Sequence, residues 1–452
     1  MTGVMDELTA GPDSLDGVAI AVWGLGKLGL PLAAVLADHG ASVTGVDIDA
    51  SVVERVNAGR SPISGEPGLA SLVQQHAGGG LRATSDGTAA ARDAGVHIIL
   101  VPTILDEESQ PELSALEAAV GDIATGVSAV YLVILESTVP VGTTRAVVCA
   151  ALEDVGLAIG TDVGVAFCPE RTSSGRVLED LTASYPKIVG GVSPASAAAA
   201  RALYGCFNAP GVIVMESLET AEAVKLFEGV YRDVNIALAN ELARVSDSWG
   251  IDADAAFRAA NTQPYCDLHT PGIGVGGHCI PVYPWFVMAT ADETPLVRTA
   301  RSLNSGMPHH VLRLLERRLA AHELPLAGSQ ILVLGLTYRP GVDELRYAPA
   351  LDLIDALVAA GARVIVHAPI TDLAAIDRDA VDTVSAPTDA VGVDAAVLAT
   401  GHRAYRELDL GALHELMRTP VLIDGRRFYD PEEATAAGLE LTTVGGGTSV
   451  DA

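Results

Sequence analysis

The segment from Val18 to Asp47 constrains this chain more than any other part of it. Val18-Ala19-Ile20-Ala21-Val22 reads as a short buried strand and Gly24-Leu25-Gly26-Lys27-Leu28-Gly29 as a glycine turn. Pro31 to His39 carries apolar residues at helical spacing, and Ser42 to Val46 returns to strand. This is a βαβ unit. In such a turn Gly24 permits the tight bend, Gly26 lets the backbone approach a pyrophosphate, and Gly29 lets helix and strand pack closely, while the helix N-terminus stabilises the anion. Asp47 follows the second strand, where a carboxylate accepts hydrogen bonds from an adenosine ribose and repels a 2′-phosphate. The expected cofactor is NAD rather than NADP, held by Gly24, Gly26, Lys27, Leu28, Gly29 and Asp47.

Further buried runs at Val96 to Val101, Val130 to Leu135, Val163 to Phe167 and Lys187 to Val189 alternate with Ala-rich helical stretches. They extend the unit into a doubly wound α/β sheet up to about residue 210. Glu216 to Trp249 has helical spacing with Gly229 as its one glycine, so a long helix opens a central α-helical region, and long helices between domains often carry a dimer seam. Asn261 to Pro284 is rich in Gly and Pro and reads as a loop, followed by helix from Pro295 to about His322. A second α/β unit starts at Gln330-Ile331-Leu332-Val333-Leu334-Gly335, continues through a helix at Ala350 to Ala360 and returns to strand at Arg363 to Val366. There Gly335-Leu336-Thr337-Tyr338 replaces the three-glycine turn, so this second Rossmann-like domain lacks a standard dinucleotide site. The boundaries expected are a flexible acidic tail over 1–16, an NAD-binding domain over 17–210, a central helical domain over 211–325 and the second Rossmann-like domain over 326–452.

With 452 residues, two or three domains are expected. The net charge of -29 repels nucleic acid and anionic membranes, so neither is an expected partner. Lysine occurs at Lys27, Lys187 and Lys225 alone, which makes each a candidate for a specific task. The acidic surface fits a high-salt cytoplasm or a GC-rich genome equally well. Five cysteines without a CxxC pair argue against a disulfide framework or a zinc site and fit a reducing cytoplasm, and no metal is expected. Residues 1–16 lack the basic start and apolar run of a signal peptide, and no apolar run is long enough to cross a bilayer.

The strongest catalytic signal is Gly274-Val275-Gly276-Gly277-His278-Cys279-Ile280-Pro281, where glycines leave backbone free to approach a ligand and the loop presents one thiol. A thiolate is a good nucleophile toward an aldehyde. Together with Val101-Pro102-Thr103, Glu136-Ser137-Thr138-Val139-Pro140-Val141-Gly142-Thr143-Thr144, Pro169-Glu170-Arg171, Ala221-Glu222-Ala223-Val224-Lys225-Leu226, Gly335-Leu336-Thr337-Tyr338-Arg339-Pro340 and Arg346, these residues resemble the UDP-glucose/GDP-mannose dehydrogenase family of nucleotide-sugar 6-dehydrogenases. The similarity runs from about residue 18 to 430. The Cys279 loop and Pro169-Glu170-Arg171 look more like its N-acetylmannosamine branch than its glucose branch.

The resemblance implies a four-electron oxidation of a UDP-sugar, with UDP-N-acetylmannosamine the first substrate and UDP-glucose the alternative. A base takes the alcohol proton as hydride leaves for NAD, Cys279 traps the aldehyde as a thiohemiacetal, and a second hydride transfer gives a thioester that water hydrolyses. It further implies catalytic roles for Cys279, for Lys225 as oxyanion stabiliser, for Glu170 as general base and for Thr138. Pro102, Thr103 and Thr138 would hold the cofactor. Glu170, Arg171, Lys225, Gly276, Gly277 and Arg346 would hold the substrate, with UDP in the C-terminal domain of a homodimer.

Several positions depart from the family pattern. Gly229 stands where relatives usually have Asn, weakening the helix by ~1 kcal/mol relative to Ala. Tyr283 stands for Asp and Tyr265 for Arg. Arg339 replaces a lysine, and His367-Ala368-Pro369 lacks the usual aspartate. Asp267 and the Tyr283 hydroxyl are alternative replacements for the missing Asp, while Asn235 and Asn240 lie further along the helix. Two other readings compete: a single-step 3-hydroxyacid dehydrogenase, and a degenerate paralogue that keeps NAD for structure or regulation.

Overall fold

Eight strands form the first sheet: β1 (Ala19–Trp23), β2 (Ser42–Val46), β3 (Leu81–Thr84), β4 (Val96–Ile99), β5 (Tyr131–Leu135), β6 (Val163–Phe167), β7 (Lys187–Gly191) and β8 (Val212–Met215). The computed structural model describes residues 4–9, 14–127, 131–373 and 380–447. The chain divides into two units, Met1–Glu228 with Trp285–Ala291, and Gly229–Pro284 with Asp292–Ala452. The central helix (Leu218–Trp249) passes from the first to the second between Glu228 and Gly229.

In the first unit the strand order is β8-β7-β6-β5-β4-β1-β2-β3, which from β3 to β6 is the 3-2-1-4-5-6 order of a dinucleotide-binding sheet. All neighbours run parallel except β6 and β7, which pair antiparallel. Apolar runs such as Ile20-Ala21-Val22 and Leu132 to Leu135 are buried on both faces, as a sheet covered by helices on each side requires. The sequence reading missed β3, which is only four residues long, and ended the sheet before β8, whose Ile213 and Val214 are exposed. The expected flexible tail also needs correcting. Val4–Thr9 is a helix that buries Met5 and Leu8 in the first core, where Leu15 joins them. Their i, i+3 spacing puts Met5 and Leu8 on one face while Asp6 and Glu7 stay exposed.

In the second unit six strands, β9 (Gln330–Leu334), β10 (Arg363–His367), β11 (Val381–Thr383), β12 (Val393–Leu398), β13 (Met417–Asp424) and β14 (Glu440–Thr443), take the order β11-β10-β9-β12-β13-β14. This is the same 3-2-1-4-5-6 order, fully parallel. The expected helix from Pro295 is divided at Gly306 into Pro295–Ser305 and Met307–Ala321. A buried polar network ties this helical region together. Arg301 donates to Asp233 (2.7 Å), and Asn304 donates to the Asp233 carboxylate (2.8 Å) and carbonyl (2.9 Å). Asn240 donates to Asn304 (2.9 Å) and accepts the Gly272 N–H (2.8 Å). The network therefore anchors the chain leading into the cysteine loop; each of its residues is hydrogen-bonded, while the second Asp233 carboxylate oxygen has no hydrogen-bond partner among the described residues.

Candidate active site

The glycine turn follows β1 at the point where the strand order reverses, the crevice in which such sheets bind ligands. Its three glycines meet three different constraints. Gly24 has φ +91°, and a Cβ there would lie 2.5 Å from the Leu100 carbonyl oxygen. A Cβ on Gly29 would lie 1.9 Å from the Gly24 carbonyl oxygen, so the helix Gly29–Asp38 can start this close to the turn only with glycine. A Cβ on Gly26 would meet nothing within 4 Å. The backbone there is open, the cradle a pyrophosphate requires, with exposed Lys27 beside it and half-buried Leu28 preceding the helix. Asp47 accepts the Leu25 N–H at 2.8 Å on one oxygen and the Asp49 N–H at 2.9 Å on the other. Both contacts orient the carboxylate at the end of β2, and each oxygen keeps a further lone pair for a ribose hydroxyl.

The other motifs of this unit stand at the carboxyl ends of neighbouring strands: Val101-Pro102-Thr103 after β4, Ser137-Thr138 after β5, Pro169-Glu170-Arg171 after β6. They are stitched together, Thr103 donating to the Thr138 carbonyl (2.6 Å) and Ser137 to the Val101 carbonyl (2.8 Å). Beneath them Lys187 donates to Glu136 (2.8 Å), lies 4.7 Å from the centre of the Tyr204 ring, and Tyr204 donates to the other Glu136 oxygen. Lys187 thus has a structural task. Burial pushes the Glu136 carboxyl up, and the Lys187 charge opposes that.

Lys225 brings its ammonium 3.9 Å from Glu170, both side chains being buried. Glu170 also accepts the Thr172 N–H. Glu222, three residues before Lys225, is a positioning residue the sequence reading passed over. It accepts the Gly142 N–H (2.5 Å), the Thr144 N–H (2.8 Å) and the Thr144 hydroxyl (2.6 Å), locking the central helix to the turn after Thr138. A buried acidic residue beside the singled-out lysine, matched by a Gly-Thr-Thr turn, was the available signal. Arg171 is expected to hold substrate, and its side chain also has partners within the protein. It donates to Glu228 (2.8 Å) and the Pro186 carbonyl (3.1 Å) and stacks 5.0 Å from the Tyr185 ring, so its guanidinium is engaged within the protein.

In the second unit Cys279 is exposed, whereas Cys149 and Cys168 are buried and Cys206 and Cys266 are half-buried. Burial pushes the Cys149 thiol up to about 11 and raises that of Cys168 further, which makes both poor nucleophiles. The glycines before Cys279 also meet a packing constraint. A Cβ on Gly276 would lie 2.4 Å from the Tyr347 carbonyl oxygen, and one on Gly277 (φ +93°) would lie 2.8 Å from the Tyr338 ring. Close packing against protein requires glycine at both positions. Gly277 donates to the Arg346 carbonyl (2.9 Å), and His278 bonds Glu344 (2.9 Å). Arg346 itself is exposed, as are Tyr265 (92%) and Asp267. Asn235 bonds only back to the Tyr231 carbonyl among the described contacts, and Asn240 is committed to the network above.

The second sheet repeats the first turn and then abandons it. Gly335 has φ +87° and donates to the His367 carbonyl (2.9 Å), as Gly24 donates to the Val46 carbonyl (2.8 Å). That register puts buried Ala368 where the first unit has Asp47, and the helix Pro349–Ala359 begins far beyond Gly335. Neither the ribose carboxylate nor the adjacent helix N-terminus is present in this turn. His367 is instead tied to the Tyr405 hydroxyl (3.0 Å), and burial lowers its pKa.

A dinucleotide turn completed by Asp47, a buried Lys225–Glu170 pair, and a second sheet of the same order packed on an exposed cysteine loop define an NAD-dependent oxidoreductase. The sequence matches the NAD-binding domain of the UDP-glucose/GDP-mannose dehydrogenase family over residues 18–208, its central domain over 219–306 and its UDP-binding domain over 332–431. The chain belongs to that family and is an NAD-dependent nucleotide-sugar 6-dehydrogenase. It is 36% identical over 408 residues to the UDP-N-acetyl-D-mannosamine dehydrogenase of Pyrococcus horikoshii, covering 90% of this chain and 95% of that protein. It is also 36% identical over 433 residues to the NDP-N-acetyl-D-galactosaminuronic acid dehydrogenase of Ralstonia nicotianae, covering 93% and 99%. The solved structure of the Pyrococcus horikoshii UDP-D-ManNAc dehydrogenase superimposes with a TM-score of 0.87 at 35% identity, covering 95% of this chain and 100% of that one.

Proposed function

We propose that this enzyme oxidises the C6 alcohol of a UDP-N-acetylhexosamine, UDP-N-acetylmannosamine first, to the carboxylate in two NAD-dependent steps. The observation that carries the reading is the exposure of Cys279 alone among five cysteines, in a loop whose glycines clamp it against the second sheet. The names of the relatives support the N-acetylated sugar.

Gly24, Gly26, Gly29 and Asp47 would hold NAD, which would supply the hydride acceptor for each step. Glu170 takes the alcohol proton, directly or through water, and Lys225 stabilises the oxyanion at the reacting carbon. The Cys279 thiolate adds to the aldehyde carbon, forming a C–S bond and a thiohemiacetal. Loss of the second hydride yields a thioester. Water then attacks the acyl carbon, the C–S bond breaks, and the thiol is regenerated with the carboxylate. Two NAD are reduced per sugar, and one water supplies the second oxygen. Thr103 and Thr138 bear on the cofactor, and Gly276, Gly277 and Arg346 on the nucleotide sugar.

A UDP-sugar panel at low and high salt, with NADH counted per uronate, tests this reading. Two NADH per uronate are expected, and Cys279→Ala should form none. One NADH with a carbonyl product would favour a single-step dehydrogenase, and binding without any NADH a non-catalytic role. Normal uronate formation by Cys279→Ala would sink the covalent route.

The second copy of a homodimer covers one stripe of the central helix in this reading. Phe227, Tyr231, Leu238 and Trp249 are 64%, 54%, 44% and 70% exposed, and their spacings of four, seven and eleven keep them on one face. Trp249→Glu is expected to give monomers by light scattering. A cytoplasmic location is supported by the absence of paired cysteines, and among the described residues no helix is long and apolar enough to cross a membrane.

A further inference from the structure

We propose that Tyr283 is a positioning residue for Cys279, its ring seated on the central helix in a notch that only glycine at position 229 leaves open. The inference rests on the assignment of Cys279 as the nucleophile. Gly229 lies inside a 32-residue helix, where glycine is among the least favourable residues. Packing explains its presence. A Cβ on Gly229 would lie 2.4 Å from Cδ2 and 3.1 Å from Cβ of Tyr283, far inside the 3.5–4.0 Å optimum for carbon contacts. The Tyr283 ring therefore occupies the volume a side chain at 229 would need, and it is 8% exposed.

Tyr283 is also the far end of the turn that carries the thiol. Its N–H and that of Val282 both donate to the Cys279 carbonyl at 3.0 Å. On its other side the cysteine loop is held by the Gly277 N–H on the Arg346 carbonyl and by Tyr338 against Gly277. Two clamps thus hold an exposed thiol, one on the second sheet and one on the central helix. Rotating the ring does not fully relieve a methyl at 229, because the Tyr283 Cβ would still lie 3.1 Å away and can give only with the backbone of the turn. Gly229 and Tyr283 are complementary in physical terms: the small residue makes room for the large one.

The test is a double-mutant cycle of Gly229→Ala and Tyr283→Ala in the full chain, read by two assays. The first is alkylation of Cys279 by iodoacetamide from pH 6 to 9, followed on its own peptide by mass spectrometry, which needs no substrate. The second is the split between kcat and the Kd of NAD. Gly229→Ala alone should change the alkylation rate or its pH midpoint by at least about threefold in rate. It should lower kcat by about 10- to 100-fold with NAD affinity unchanged, the scale expected when a reacting group is displaced by up to about 1 Å. With Tyr283→Ala already present, adding Gly229→Ala should change either reading by less than about twofold, because the clash is gone. Tyr283→Phe keeps the ring and should keep the alkylation profile. Wild-type behaviour of Gly229→Ala, equal effects in both backgrounds, or loss of the profile in Tyr283→Phe would overturn the proposal. Uronate formation by Cys279→Ala would instead overturn the function reading, leaving the alkylation cycle to judge the clamp.

Discussion

Replacing His97 with leucine should stabilise the first unit and remove an acid-sensitive component of its stability. His97 lies in β4 at the centre of the sheet, fully buried, and neither ring nitrogen has a hydrogen-bond partner among the described residues. The Trp23 and Tyr131 rings flank it at 6.3 and 5.8 Å. Burial pushes its pKa from 6.5 down to about 3. The folded imidazole therefore stays neutral where the unfolded one takes up a proton, so the unfolded state binds more protons below pH 6.5. Stability is retained above that pH and lost as the pH falls toward the folded value, by ~1.4 kcal/mol per pH unit. Between pH 7.5 and 5.5 the wild type should lose ~1.4 kcal/mol that His97→Leu keeps, a window in which ordinary carboxylates remain ionised. At pH 7.5 the variant should also gain about 1–3 kcal/mol, because each unsatisfied buried polar atom costs on that order. Since the chain comprises two units, the free energies are best read from hydrogen exchange of peptides across β1, β4 and β5, corrected for intrinsic rates. Parallel pH dependence in the two proteins would refute the reasoning.

Three further outcomes are expected. Asp47→Ala removes the acceptor of the Leu25 and Asp49 N–H groups as well as the ribose contact, so titration should show NAD binding weakened by roughly 10- to 100-fold and the NAD-to-NADP preference reduced, as expected for charged hydrogen bonds of about 1.5–3 kcal/mol. Arg301→Ala leaves Asp233 buried without its ion pair and should cost about 3–5 kcal/mol in denaturant unfolding of the second unit, with Asp233→Leu/Arg301→Met recovering most of it. Lys225→Ala should lower kcat by about 10²- to 10³-fold with NAD affinity within about twofold, and Lys225→Arg should not restore it, because a planar guanidinium does not fit the site of a point charge beside Glu170.

Local pattern was sufficient for the elements and for the cofactor turn. The strands that were read off apolar runs, the helix after Gly29, the central helix and the repeat at Gln330 all depend on contacts within a few residues or on burial of both faces of a strand. The turn was equally legible because its constraints are backbone constraints: Gly24 takes the positive φ and Gly29 the close helix packing that their positions implied. The strands missed, β3 and β8, are short, and β8 presents exposed apolar side chains.

What the sequence by itself determined is thus a dinucleotide-binding unit and a second sheet of the same kind without a dinucleotide turn, while the residues it singled out are those proposed to carry the chemistry. The tertiary structure alone decided what those residues touch. Gly276 and Gly277 pack on Tyr347 and Tyr338, Arg171 is engaged by Glu228, Glu222 caps a turn some eighty residues earlier, and Gly229 makes room for Tyr283. The physical reason is range. Turn geometry and periodicity arise between neighbours in the chain, whereas packing volume and the pairing of buried charge are settled by partners that sequence spacing does not disclose.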